Sequence, residues 1–292
     1  MANRQYNYAV CIDALEITYT ATDLQKDFLN SVQKKLYIGE DNRSLWIERI
    51  ESRHYRDEFI IKCADVDCNG YDIVKVVGYL RSGSLNPNRQ MVYLTFENAA
   101  LYSWILQARF YVESALGLEF HRISKIDIAV DFDFNIQKRL IALLKSTPCD
   151  IIVNGRVADR KSVKGLNVHA YDINLDRMFA HPELTVSNDD STLSMKTYNK
   201  RKEIQNESGK SYITESTGFS GTHYRVEVTC KNYKRLLPSL KALGMDDTDL
   251  YVQLDNDETL KALFCDILNR LVYLRKGRKQ MNIIDEVLNG LK

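Results

Sequence analysis

Residues 125–133 read Lys-Ile-Asp-Ile-Ala-Val-Asp-Phe-Asp, and the alternation in this stretch decides the fold. Side chains of a strand point to opposite faces in turn. Ile126, Ile128, Val130 and Phe132 therefore share one face, and Asp127, Asp131 and Asp133 share the other. The apolar face belongs in a core. The acidic face repels itself unless positive charge sits against it. Two sources fit: a divalent cation held by hard oxygen ligands, or a Lys or Arg from a neighbouring strand.

Two later stretches have the same character. In 223–229, His-Tyr-Arg-Val-Glu-Val-Thr, the residues His223, Arg225 and Glu227 share a face. Glu227 is placed to complete a metal site with Asp127 and Asp131, and Arg225 to clasp a phosphate. Cross-strand ion pairs explain the same residues equally well. In 194–200, Ser-Met-Lys-Thr-Tyr-Asn-Lys, a tyrosine, Tyr198, stands between Lys196 and Lys200 on one face. Flanking cations favour a phenolate and stabilise charge on an attacked phosphate. Packing of the ring with a hydrogen-bonded hydroxyl is the plainer role.

Outward from these strands, 8–20 reads as a strand, and Thr22-Asp23 caps a helix to about Lys35. Residues 43–81 read as short strands with turns at Asn69-Gly70 and 81–86, and 90–96 as another strand. Apolar residues at helical spacing span 99–116 and end at Gly117. A helix is expected at 136–146, and strands at 150–154 and 166–173, joined through Asn154-Gly155. The connection 204–222 is rich in Ser, Gly and Thr and reads as a mobile loop. Helices are expected at 232–243, 257–276 and 280–291. The order predicts an α+β fold with a largely antiparallel central sheet flanked by helices. The expected organisation is a catalytic domain over 1–235 and a helical C-terminal extension over 236–292 packed on it.

The chain has 292 residues, 45% hydrophobic and 27% charged, which suits a globular protein with a core of its own. Its six cysteines show no CxxC spacing, so reduced thiols are expected. Neither a signal peptide nor an apolar run of about 18 residues is visible, which predicts a cytoplasmic protein without a membrane partner. Net charge is only +1. Its distribution is uneven: residues 191–292 hold 17 Lys and Arg against 13 Asp and Glu, and six of those acids fall between Asp246 and Glu258. Basic clusters form at Lys196–Lys202, at Lys231–Arg235 and at Arg270–Lys279. Arg201, Lys202, Lys231, Arg275, Lys276, Arg278 and Lys279, with Arg225, are the candidate DNA-binding residues.

Five segments together resemble the trans-acting Rep family of rolling-circle plasmid replication initiators, which is related to relaxases of conjugative elements and to initiators of filamentous phages. They are IDALEITYT (12–20), MVYLTFENAALYSWILQARF (91–110), RISKIDIAVDFDF (122–134), SMKTYNKRKE (194–203) and HYRVEVTCKN (223–232). The last two are similar to that family's R-x-Y-x-K and R-x-E strands. The resemblance covers about residues 9–235. It implies a Rep/relaxase-like fold that binds an origin and nicks one strand. A tyrosine, here Tyr198, would become linked to the 5′ phosphate, assisted by Lys196 and Lys200. Mg²⁺ or Mn²⁺ would be held by Asp127, Asp131 and Glu227. Duplex and single-stranded origin DNA are the implied partners, with a host helicase and a second copy of the chain also compatible.

The chain departs from the pattern in two places. None of its five histidines forms the pair that flanks one hydrophobic residue in better-known nicking enzymes, so a carboxylate-rich site would have to serve, with His169 or His223 as candidate helpers. The family's Tyr-x-Gly-Ser segment is replaced by Asn188-Asp189-Asp190-Ser191, which keeps Tyr171, Tyr212 and Tyr224 open as alternative nucleophiles. An origin-binding protein without catalysis and a metal-dependent nuclease are the competing readings.

Overall fold

The computed structural model describes all residues except 1–6, 21, 23–28, 30, 39–44, 54, 67–71, 85–90, 104, 159–165, 168–183, 189 and 290–292. The expected helix after Thr22, the turn at Asn69-Gly70, and His54, Cys68, His169, Tyr171 and His181 lie wholly or largely outside the described residues.

The chain forms two compact units, residues 13–126 and residues 1–12 with 127–292. The division follows two long strands, β1 (Tyr8–Thr20) and β7 (Glu119–Phe132), each of which contributes to both units. It does not fall at residue 235, where the sequence suggested a cut.

In the 13–126 unit, β1 is followed in the sheet by β6 (Met91–Phe96), β5 (Asp72–Ser84), β4 (Tyr55–Val66), β3 (Leu45–Ile50) and β2 (Lys35–Tyr37), paired antiparallel throughout. Alternate residues make its core: Leu15, Ile17, Tyr19, Ile47, Phe59, Ile61, Leu80, Val92 and Leu94 are buried. Helices α1 (Asn98–Ser103) and α2 (Ile105–Leu116) realise the expected 99–116 helix. Strands β4 and β5 are longer than the short strands expected. Their register shifts between Ile61 and Lys62, beside Gly78, where a Cβ would collide with the Thr95 carbonyl oxygen of β6.

In the other unit the strand order is β10 (Leu166–Asn167), β11 (Leu184–Ser187), β12 (Leu193–Asn199), β13 (Tyr224–Cys230), β7 and β1. Strands β12 and β13 are antiparallel, with Met195 opposite Val228, Lys196 opposite Glu227 and Tyr198 opposite Arg225. Ile128, Val130, Met195, Val226 and Val228 form a buried apolar face. Three helices pack on these strands: α3 (Ile136–Ser146), α6 (Tyr233–Ala242) and α8 (Asp257–Leu271). The last buries Leu260, Leu263, Phe264, Ile267 and Leu268 along one side. The C-terminal segment is thus part of this unit's core, with its helices closing the sheet's apolar face.

The C-terminal third is less helical than its periodicity suggests. Helix α8 stops at Leu271, and Val272–Lys276 (β14) pairs with β8 (Asp150–Val153) and with β15 (Lys279–Met281). Val272 and Tyr273 favour a strand, and Gly277 at φ +60° makes the two-residue turn that reverses it. Strand β9 (Arg156–Val157) completes this small sheet through Asn154-Gly155, both at positive φ. The expected loop at 204–222 is also largely helical. Directly after α4 (Lys200–Glu203) it holds a π-helical turn at Ile204–Ser208 and then α5 (Ser211–Thr217), with Gly209 and Gly218 in the left-handed region at their ends. Helices α7 (Asp247–Val252) and α9 (Ile283–Asn289) complete the set.

Candidate active site

The polar face shared by β12, β13 and β7 carries two charge clusters. The first surrounds Arg225, whose side chain is fully buried. Its Nε donates to Asp131 Oδ1 at 2.8 Å and its Nη2 to Asp131 Oδ2 at 2.7 Å. This is the bidentate fork that guanidinium and carboxylate geometry favours. His223 Nε2 lies 3.0 Å from Asp131 Oδ1, and the ring meets Phe219 edge-on at 5.5 Å. Cys11 Sγ is 3.8 Å from both Asp131 Oδ2 and Arg225 Nη2. Burial alone would raise the Asp131 carboxyl; the Arg225 charge and hydrogen bonds, seconded by His223, more than offset it and hold the group below the usual carboxylate range.

The second cluster surrounds Tyr198. Its hydroxyl donates to Glu227 Oε2 at 3.2 Å, and Lys196 Nζ lies 3.1 Å from Glu227 Oε1. The Lys196 ammonium is 5.2 Å from the Tyr198 ring centroid and that of Lys200 5.6 Å, so both lie within cation–π reach of the ring. Lys200 is buried and pairs with Glu203 at 2.8 Å, one turn along α4. Asn199 caps that helix by accepting from the Lys202 backbone N–H. Tyr198 and Glu227 are 5% and 3% exposed, whereas the Lys196 side chain is 43% exposed. Lys196 is therefore the member of the cluster that meets solvent.

These positions correct two sequence expectations. Arg225 is not presented to a phosphate, because it is buried and both arms of its fork are spent on Asp131. Asp127, Asp131 and Glu227 do not form a cation cage: among the described residues no three His, Cys, Asp or Glu side chains converge on one point. The reason is strand geometry. Asp127 and Asp131 share a face but stand four residues apart, about 13 Å along an extended strand. Ligands of one Mg²⁺ must all lie about 2.1 Å from it. Asp131 and Glu227 meanwhile face Arg225 and Lys196. The described residues in this arrangement do not fit a divalent metal.

No family model matches the chain, and no curated protein matches it. A solved structure does. The chain is similar in fold to a replication initiator. That structure is a rolling circle replication initiator protein from Geobacillus stearothermophilus, aligned over 98% of this chain and 97% of its own at 12% identity and a TM-score of 0.43.

Among the alternative tyrosines, the Tyr224 hydroxyl accepts from Asn135 Nδ2 at 2.8 Å beside the start of α3. Tyr212 is half-buried within α5, on a helix where a loop was expected. Of the candidate DNA-binding residues, Arg201, Lys202, Lys231, Lys276, Arg278 and Lys279 are exposed. Arg201 donates to the Gly221 carbonyl at 2.8 Å, and Arg275 pairs with Asp150 at 3.1 Å. Sequence reading missed Glu203 as the partner of Lys200, because Lys200 read as the end of a strand and the pair needs a helical turn over Lys200–Glu203. No helix is long and apolar enough to cross a membrane among the described residues. The described cysteines, Cys11, Cys63, Cys149, Cys230 and Cys265, form no disulfide with one another.

Proposed function

We propose that the protein is a replication initiator that binds an origin and nicks one DNA strand by tyrosine transesterification, with Tyr198 as nucleophile. The observation that carries this reading is the Tyr198 hydroxyl donating to Glu227, with two lysine ammonium groups within cation–π reach of the ring. A phenol is a poor nucleophile until its proton is removed. Glu227 is the acceptor in place to take it, at 3.2 Å. Lys196 and Lys200 favour the negative charge that develops on the phenolate. The phenolate oxygen then attacks the scissile phosphorus, a Tyr198 O–P bond forms, and the bond from phosphorus to the 3′ oxygen breaks. One phosphodiester replaces another, so bond energy is conserved and closure needs no nucleotide cofactor. The exposed basic residues of α4 and of the β14–β15 hairpin would hold the flanking DNA through its phosphates.

The test is incubation with a supercoiled plasmid carrying the DNA that flanks the coding region, with Mn²⁺ present. The expected product is a relaxed plasmid with the protein attached through a 5′-phosphotyrosyl bond that maps to Tyr198. Tyr198→Phe removes one oxygen and leaves the ring in place, so folding and DNA binding should persist while the adduct disappears. Nicking without attached protein would instead identify a hydrolytic nuclease, and binding without relaxation an origin-binding protein. An adduct surviving in Tyr198→Phe would move the nucleophile elsewhere, Tyr212 first.

A further inference from the structure

The conflict between the carboxylates and a metal site leads to a specific assignment that rests on the nicking reading above. We infer that the Lys196 ammonium is the electrophile that neutralises the scissile phosphate, and that this site performs transesterification without a divalent cation. Phosphoryl transfer at a tyrosine needs positive charge beside the non-bridging oxygens as the transition state forms. A metal supplies it when carboxylates converge on one point. Here Asp127 and Asp131 stand apart along β7, and Asp131 on β7 and Glu227 on β13 each face a cation: Asp131 meets Arg225, and Glu227 meets Lys196. The positive charge that a metal would bring is already built into the strands.

Lys196 is the cation suited to the task. Lys200 is buried against Glu203, and Arg225 is buried against Asp131. Lys196 stands beside the nucleophile, 5.2 Å from the Tyr198 ring, and its side chain is 43% exposed. A phosphate approaching Tyr198 from solvent meets this ammonium first. Its flexible four-carbon stem lets the head shift from Glu227 Oε1 to a phosphate oxygen within a small arc. That shift also leaves Glu227 with less positive charge beside it, which makes it a better proton acceptor at the moment Tyr198 must lose its proton. The register gives the coupling: Lys196 lies directly opposite Glu227, and Tyr198 is two residues further along the same face. The step balances. The Tyr198 proton goes to Glu227, phosphorus exchanges the 3′ oxygen for the phenolate oxygen, and the departing 3′ oxygen takes a proton from solvent.

The experiment uses the full chain, freed of metal by dialysis against EDTA, and a supercoiled plasmid carrying the DNA that flanks its coding region. Adduct formation is timed in EDTA and in Mn²⁺. The inference expects the adduct in EDTA at a rate within about twofold of the Mn²⁺ rate. It also expects Lys196→Met to slow both by about 100-fold, the scale on which removing one charge-stabilising donor acts. Lys196→Arg, which keeps the charge, should recover a substantial part of the rate, a rescue that a purely structural role would not produce. An adduct that forms only with Mn²⁺ overturns the inference and leaves the nicking reading standing. A Lys196→Met protein that reacts at the wild-type rate in EDTA overturns the role of Lys196. No adduct in either arm removes the nicking reading and this inference with it. The EDTA comparison needs no variant and holds whether or not the substituted chains fold.

Discussion

At the scale of single residues, the decisive fact is that sharing a strand face is not sharing a site. Asp127, Asp131, Arg225, Glu227, Lys196 and Tyr198 were all legible as polar-face residues, because strand period alone assigns faces. Their partners were not, because partnership depends on register between strands distant in sequence. The pairing of Lys196 with Glu227 and of Tyr198 with Arg225 follows from the β12–β13 register. That register gives Glu227 an ion pair with Lys196, and Asp131, on β7, takes Arg225 as its partner. Spacing within β7 already limited the metal reading, since a four-residue step along a strand spans about 13 Å. The buried Asp131–Arg225 pair also makes a stability prediction. Arg225→Met leaves a buried carboxylate without its main partner and should cost about 3–5 kcal/mol in urea unfolding. Removing Asp131 as well, as Asp131→Leu with Arg225→Met, should recover much of that stability. A double variant as unstable as the single one would show that packing, not charge, dominates there. The sign of the pH dependence follows from the depressed Asp131 carboxyl. Its contribution is present above its unfolded value, about 3.9, and is lost as pH falls through the lower folded value. Wild-type stability should therefore fall more steeply below about pH 4 than that of the double variant, as read by urea midpoints across roughly pH 2–6.

At the scale of elements, local chemistry was readable where a cap or turn residue marks the boundary. Helix α3 begins and ends where the sequence places it. Asn135 accepts from the Lys138 backbone N–H at 2.8 Å, and its amide also donates to the Tyr224 hydroxyl. Asn135→Ala removes both and should destabilise the chain by about 1 kcal/mol, within the usual range for an N-cap. A thermal midpoint unchanged from wild type would mean that water replaces the cap at no cost. The elements that were misread share a cause. Residues 272–276 continue the apolar spacing of α8, so periodicity alone extends the helix. The strand partners of that segment are β15 across the turn and β8, more than a hundred residues earlier. Residues 204–217 have the composition of a loop, yet they close into two helical turns that end at Gly209 and Gly218, where glycine relieves the strain of positive φ.

At the scale of the whole molecule, a net charge of +1 conceals its arrangement. Within the residue 1–12 and 127–292 unit, much of the charge is cancelled in pairs: Asp131 with Arg225, Glu227 with Lys196, Glu203 with Lys200, Asp190 with Arg235 and Asp150 with Arg275. The β14–β15 hairpin is arranged differently. Lys276 and Lys279 face each other across the ladder, Arg278 sits between them in the turn, and all three are exposed. Like charges directly opposite one another weaken a hairpin, so folding gains nothing from this choice, whereas a polyanion would. DNA is the polyanion that the nicking reading requires, and its phosphates release counterions when lysines neutralise them. Each phosphate that a lysine no longer neutralises should reduce the slope of log K against log salt by about 0.9 for duplex DNA. Lys276→Gln with Lys279→Gln should therefore flatten the slope by nearly two units, measured by fluorescence anisotropy between low and moderate salt. Because the hairpin would act on the phosphate backbone, binding should weaken to a similar degree for origin and unrelated duplexes. Adduct formation at saturating protein should be unaffected, since Tyr198, Glu227 and Lys196 are untouched. An unchanged slope would assign these lysines to solvent and leave DNA binding to the exposed cations of α4. A slope that changes only with origin DNA would instead make the hairpin a reader of sequence.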